Sequence, residues 1–116
     1  WLAEQPEIQR VLHPAFPSCA GHETWVRDFT GSASVFSVVF APTIAQEQVN
    51  RFVNALRLFK IGWSWGGTVS LAMAYPSIDR PQYDGRIVRF HIGLEDTNDL
   101  LADLRTAMLS IISSDI

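Results

Sequence analysis

The sequence comprises 116 residues, the length of one domain, with 47% hydrophobic and 18% charged side chains, a balance that excludes a disordered tail. Nine basic residues against twelve acidic ones leave a net charge of -3, which argues against a nucleic-acid partner, because phosphate neutralisation needs clustered cations. One cysteine, Cys19, has no mate for an internal disulfide and points to a reducing, cytoplasmic compartment, and no apolar run reaches the roughly 18 residues of a membrane span.

The chain opens on Trp1 rather than Met, in a segment, Trp1-Leu2-Ala3-Glu4, that reads as a helix entered partway. No charged leader followed by an apolar stretch is visible, and Lys60 is the single lysine. Residues 1–116 are therefore expected to be one domain of a longer protein.

Ile8 to Leu12 reads as a strand closed by His13-Pro14, and 15–21 as a loop by its Pro, Ser and Gly content. His22 to Asp28 suits a short helix or a turn. Ser34 to Phe40 alternates β-branched and aromatic residues with apolar groups on both faces, the pattern of an interior strand, and Pro42 stops it. Thr43 to Arg57 is expected to be a helix, with Thr43 and Gln46 as a capping box. Val49, Phe52, Val53 and Leu56 share one face of it. Leu58 to Ile61 looks extended, Gly62 to Gly67 is a loop, and Val69 to Ala74 is a strand ended by Tyr75-Pro76. Pro81 to Gly85 reads as a turn before a strand from Arg86 to Ile92. Asp96 is placed to cap a last helix carrying Leu100, Leu101, Leu104, Met108, Ile111 and Ile112 in one stripe, with Glu95, Asp96 and Asp99 where the helix dipole favours acids. This order predicts an α+β domain. Its sheet should be small and mostly antiparallel, of about four strands, with helices packed on one face; the other face is left for the rest of the protein.

Two features carry chemistry. In Trp63-Ser64-Trp65-Gly66-Gly67 the glycines let the backbone adopt positive φ or approach a ligand closely. Its N–H groups and hydroxyl could hold an anionic oxygen, or its tryptophans could simply pack on the core. Arg89 shares a strand face with Ile87 and His91, while Val88, Phe90 and Ile92 face the other way. It offers a planar fork to a carboxylate, either of a ligand or of an internal aspartate. His13, His22 and His91 lack metal-ligand spacing and read as structural. No nucleophile elbow, phosphate loop or dinucleotide fingerprint is present. Lys60, between Phe59 and Ile61, reads as a surface lysine.

Several runs together resemble one family: Val11-Leu12-His13-Pro14-Ala15, Gly21-His22-Glu23 through Trp25, Arg27-Asp28-Phe29, Ser64-Trp65-Gly66-Gly67, and Arg89-Phe90-His91-Ile92-Gly93-Leu94-Glu95-Asp96 leading into Asp99-Leu100 and Asp103-Leu104. The chain resembles the C-terminal small domain of the Cys/Met-metabolism pyridoxal-phosphate enzymes of fold type I. Trp65 after the serine, where γ-synthases and γ-lyases usually have leucine, favours the cystathionine β-lyase branch. The resemblance implies that Arg89 holds the substrate α-carboxylate, and that Ser64, Trp65 and nearby Trp63 line the same site. It implies β-elimination of cystathionine to homocysteine, pyruvate and ammonia, in the setting of methionine biosynthesis. A γ-lyase, γ-synthase or cysteine desulfhydrase of the same family is the alternative, and a non-catalytic ligand-binding domain a more distant one. The family's Schiff-base lysine, phosphate-binding residues and acidic partner of the pyridine nitrogen belong to the large domain, which this segment does not include. The fragment alone is thus expected to bind no pyridoxal phosphate and to be inactive. The family also implies a homo-oligomer, typically a tetramer, at full length. Two departures stand out: Val69 where the family commonly has glutamate, and Trp63 where tyrosine or another residue is usual.

Overall fold

The computed structural model describes residues 1–76 and 86–112; the turn expected over Pro81–Gly85 lies outside them. A 3₁₀ turn at Leu2–Glu4 precedes β1 (Ile8–Leu12), α1 (His22–Asp28), β2 (Val35–Phe40), α2 (Gln46–Ala55), β3 (Lys60–Ile61), β4 (Leu71–Ala74), β5 (Ile87–His91) and α3 (Thr97–Ile112). The strands form one sheet in the order β1-β2-β5-β4-β3. Three of the pairings are antiparallel, and β3 runs parallel to β4. The α+β class and the antiparallel body of the sheet are as expected; the fifth strand is a two-residue edge, too short to leave a hydrophobic alternation in the sequence.

Strand alternation divides the sheet into two unlike faces. Val38, Phe40, Ala72, Val88 and Phe90 point into the core, where they meet Val49, Phe52 and Val53 of α2 and Leu100, Leu104, Ala107, Met108 and Ile111 of α3. Phe90 is the hub: its ring lies 5.3 Å from Phe36, 5.5 Å from Phe59 and 6.5 Å from Phe52. Val39 and Ile87 are buried yet lie outside this cluster. They belong to the opposite face, with Ser37, Arg89 and Met73 in register across it.

Two helix boundaries differ from the sequence reading. Ile44 N–H closes a turn on the Ala41 carbonyl after Pro42, so α2 starts at Gln46 and Thr43 caps nothing. Its first turn is held instead by Gln48 Oε1, which accepts the Ala45 N–H at 2.9 Å. Ala45 has no side-chain acceptor, so only that half of a capping box forms. At its other end α2 stops at Ala55, because the next N–H groups turn onto Asp103 of α3. Asp103 Oδ1 accepts from Arg57 at 2.9 Å, and Oδ2 accepts from Leu58 at 2.8 Å and Phe59 at 3.3 Å. Asp96 caps α3 as expected, its Oδ1 accepting the Asn98 N–H at 2.9 Å and that of Asp99 at 3.3 Å.

Candidate functional site

Arg89 sits mid-way along β5, the central strand, opposite Ser37 of β2 on one side and Met73 of β4 on the other. It lies on the face away from α2 and α3 and is half-buried. Among the described residues the ion pairs are Trp1–Glu4 and Arg27–Asp28, and no hydrogen bond is made by the Arg89 guanidinium. The internal aspartate that would explain a purely structural arginine is thus missing from the described residues.

The Trp63–Gly67 loop reaches the same face through His91, two residues along β5 from Arg89 and therefore about 7 Å away along the strand. His91 is buried, and its Nε2 lies 2.8 Å from the Gly67 carbonyl. Its Nδ1 accepts the Gly66 N–H at 3.3 Å and lies 2.8 Å from Ser34 Oγ. Gly66 makes this approach with φ at +83°, a conformation in which a side chain would be strained. Ser64 and Trp65 are exposed, Trp65 by 66%. Trp63 lies over the ring of Tyr75 at 4.9 Å. Neither loop tryptophan belongs to the hydrophobic core, so the loop is not held by packing them into it. Ile61, Val69 and Leu94 add to the exposed apolar surface around it.

A second clamp holds the chain just beyond the loop, and the sequence reading missed it. Ser70 N–H donates to Glu95 Oε2 at 2.9 Å, Ser70 Oγ to Glu95 Oε1 at 2.7 Å, and Gly93 N–H to Ser70 Oγ at 2.8 Å. Leu94 N–H closes on the Thr68 carbonyl at 2.8 Å. A Cβ on Gly93 would fall 2.3 Å from that Thr68 oxygen, so only glycine admits this approach. The Glu95 carboxylate thus holds Ser70 at the entry to β4. The signal was in view: Ser70 and Glu95 are polar residues flanking two strands, but their pairing across 25 positions has no local signature.

Hydrogen bonds from Ser70, the backbone one foremost, hold the Glu95 carboxyl below its ordinary value. A depressed folded-state value contributes stability above the unfolded value and loses it as pH falls through the folded one. Glu95→Gln is accordingly expected to lower the melting temperature at pH 7 and to flatten its fall below about pH 4. Parallel wild-type and variant acid melting curves would refute the clamp.

The remaining candidates behave as structural or surface groups. His13 Nδ1 accepts the Ala15 N–H at 3.0 Å, and His22 Nδ1 lies 2.6 Å from the Pro14 carbonyl. Lys60 is exposed on the edge strand, its Nζ donating to the Arg57 carbonyl at 3.3 Å. No cluster of metal-ligating side chains occurs among the described residues, and no described helix is long and apolar enough to cross a membrane. An open cleft of about 890 Å³ lies elsewhere, between α1 and the start of β2, lined by His13, Trp25, Phe29 and Val35 among others.

A five-stranded sheet of this order, with helices on one face, is the architecture of a domain of the fold-type I pyridoxal-phosphate enzymes. The chain belongs to the Cys/Met metabolism PLP-dependent enzyme family, whose model matches residues 1–109. It is 42% identical over 120 residues to the cystathionine beta-lyase MetC of Escherichia coli K12, covering 97% of this chain and 30% of that protein. Against the cystathionine beta-lyase of Haemophilus influenzae it is 42% identical over 114 residues, covering 90% and 28%. Among solved structures, metB from Corynebacterium glutamicum superposes with a TM-score of 0.81 at 30% identity, over 95% of this chain and 30% of that one. The chain thus spans under a third of the length of these relatives.

Pyridoxal phosphate is the cofactor of this family. The described residues do not fit it. A site needs a lysine for the aldehyde, an anion cradle for the phosphate and an acid for the ring nitrogen. Lys60 is tied to a backbone carbonyl at the sheet edge, and Glu95 is consumed by Ser70.

Proposed function

We propose that this chain is the C-terminal small domain of a cystathionine β-lyase and supplies the surface that grips the amino-acid substrate. In the intact enzyme the reaction is cleavage of the carbon–sulfur bond of cystathionine by β-elimination, giving homocysteine, pyruvate and ammonia. The observation that carries this reading is Arg89: a guanidinium on the central strand with no carboxylate partner among the described residues, beside a loop fixed to the same strand. A planar fork of this kind takes the α-carboxylate through two parallel charge-assisted bonds.

Ser64 offers a hydroxyl to the same substrate, while Trp65 and Trp63 supply apolar walls that keep water away. The electron sink for the elimination would come from pyridoxal phosphate held outside the described residues. Its lysine, phosphate cradle and acidic partner are assigned to a large domain that packs beside Arg89 and the exposed rim of Ile61, Trp65, Val69 and Leu94. This division leaves the small domain with orientation of the substrate as its task. The full-length enzyme is a cytoplasmic homo-oligomer, a tetramer in this reading. The names of the relatives at 42% identity support the β-lyase branch.

Product analysis tests the reading. Full-length protein loaded with pyridoxal phosphate should release pyruvate from cystathionine; 2-oxobutyrate would place it among the γ-cleaving enzymes, and neither product would overturn the reading. The 116-residue chain mixed with pyridoxal phosphate should show no bound-cofactor absorbance and no pyruvate. A cofactor band retained after gel filtration would overturn the division of labour.

A further inference from the structure

We propose that His91 is a positioning residue for the substrate site: a neutral imidazole, its proton on Nε2, that sets the Ser64–Trp65 loop beside Arg89. The inference rests on the substrate reading of Arg89 and extends it to a residue that reads in sequence as merely structural. Both of its partners in the loop are backbone groups with only one possible polarity. The Gly66 N–H can only donate, so Nδ1, 3.3 Å away, must be the unprotonated nitrogen. The Gly67 carbonyl can only accept, so Nε2, 2.8 Å away, must carry the proton. Ser34 Oγ, 2.8 Å from Nδ1, then donates its hydroxyl proton. One ring thereby ties three segments together: the entry to β2, the central strand and the loop.

Its setting makes the tie directional. His91 is 3% exposed and stands in register with Val35 on β2 and Leu71 on β4, so the ring cannot swing. Arg89 occupies the next position on the same face of the same strand. The distance from loop to arginine is thus set by rigid sheet geometry rather than by the loop itself. Beyond Gly67 the chain is tied independently through Ser70 and Glu95, and before Trp63 the Gly62 N–H donates to the Ala72 carbonyl at 3.4 Å, which leaves residues 63–67 as a short span held on both sides. Without the imidazole that span would still be attached, but not placed.

The test uses the full-length enzyme and three variants. His91→Phe keeps the ring's bulk and removes its hydrogen bonds to Gly66, Gly67 and Ser34. His91→Asn retains an acceptor near Nδ1, and His91→Gln retains a donor near Nε2. The expected result for His91→Phe is a rise in KM for cystathionine of about tenfold or more with a much smaller change in kcat, the pattern of lost uniform binding. His91→Asn and His91→Gln should each recover part of it. Hydrogen exchange of the peptide spanning 62–68 should rise in His91→Phe and fall back in the amide variants. If His91→Phe is insoluble, the two amide variants still decide: each must show a KM above that of wild type and faster exchange over 62–68. An enzyme in which Arg89→Ala lowers kcat/KM while all three His91 variants match wild type overturns this inference alone. Faster exchange with an unchanged KM also overturns it, because the loop would then be loosened without consequence for substrate. If Arg89→Ala itself leaves kcat/KM unchanged, the substrate reading and this inference fall together.

Discussion

Replacing Arg89 with alanine is expected to lower kcat/KM for cystathionine in the full-length enzyme by about 100-fold or more, with little loss of stability. Two charge-assisted hydrogen bonds to a carboxylate contribute on the order of 1.5–3 kcal/mol each, and every 1.36 kcal/mol is tenfold in rate. Arg89→Lys should recover only a fraction, because an ammonium is a point charge and cannot reproduce the fork on a fixed strand position. The stability arm of the experiment is what separates the two meanings of this arginine. An arginine paired within its own fold would reveal itself in a lowered melting temperature, and Arg89 has no such pairing among the described residues. Steady-state kinetics beside thermal melts decide the matter. A variant that melts early but keeps its kcat/KM would refute the substrate role.

Asp103→Ala should have the opposite profile, a large loss of stability by about 3–4 kcal/mol. This carboxylate, on α3 and nearly buried, accepts the backbone N–H groups of Arg57, Leu58 and Phe59 where the chain leaves α2. Removing it leaves three donors without an acceptor in a region too buried for water to replace it fully, and an orphaned buried polar group costs about 1–3 kcal/mol. For a domain of this size such a loss lowers the melting temperature by roughly 15 °C. Asp103→Asn should fall in between, since its amide nitrogen faces donors that it cannot accept. Chemical denaturation of the three proteins checks the order. An alanine variant within 1 kcal/mol of wild type would show that the hydrogen bonds do not hold the α2–β3 turn.

These two residues illustrate how unevenly function and fold are written into the chain. Arg89 was legible because a strand has period two: an arginine among Ile87, Val88, Phe90 and His91 stands out, and alternation alone assigns its face. The same alternation put His91 on that face, yet an isolated histidine carries no sign of what its ring will meet. Asp103 gave no signal of its role at all. It lies one residue before Leu104 in an amphipathic helix, where a carboxylate ordinarily faces solvent. Only the packing of α3 against the end of α2 turns it inward. The capping of α2 was misplaced for a related reason: the turn closed by Ile44 takes up the residues that a local rule had assigned to the helix start.

By itself the sequence determined the α+β class, the positions of the four longer strands and of the two long helices, and the apolar faces that form the core, and it singled out Arg89 and a glycine-rich loop as candidates for chemistry. Periodicity and turn residues act over a few positions, so a single chain displays them directly. The tertiary structure alone decided the parallel edge strand, the inward turn of Asp103 and the two clamps, His91 to Gly66–Gly67 and Glu95 to Ser70. Each joins residues far apart in the chain, and each depends on which backbone N–H and C=O groups the sheet leaves unpaired. That is settled only when the strands have met, because a hydrogen bond needs its partner within about 3 Å and no pattern in one segment specifies where another will lie.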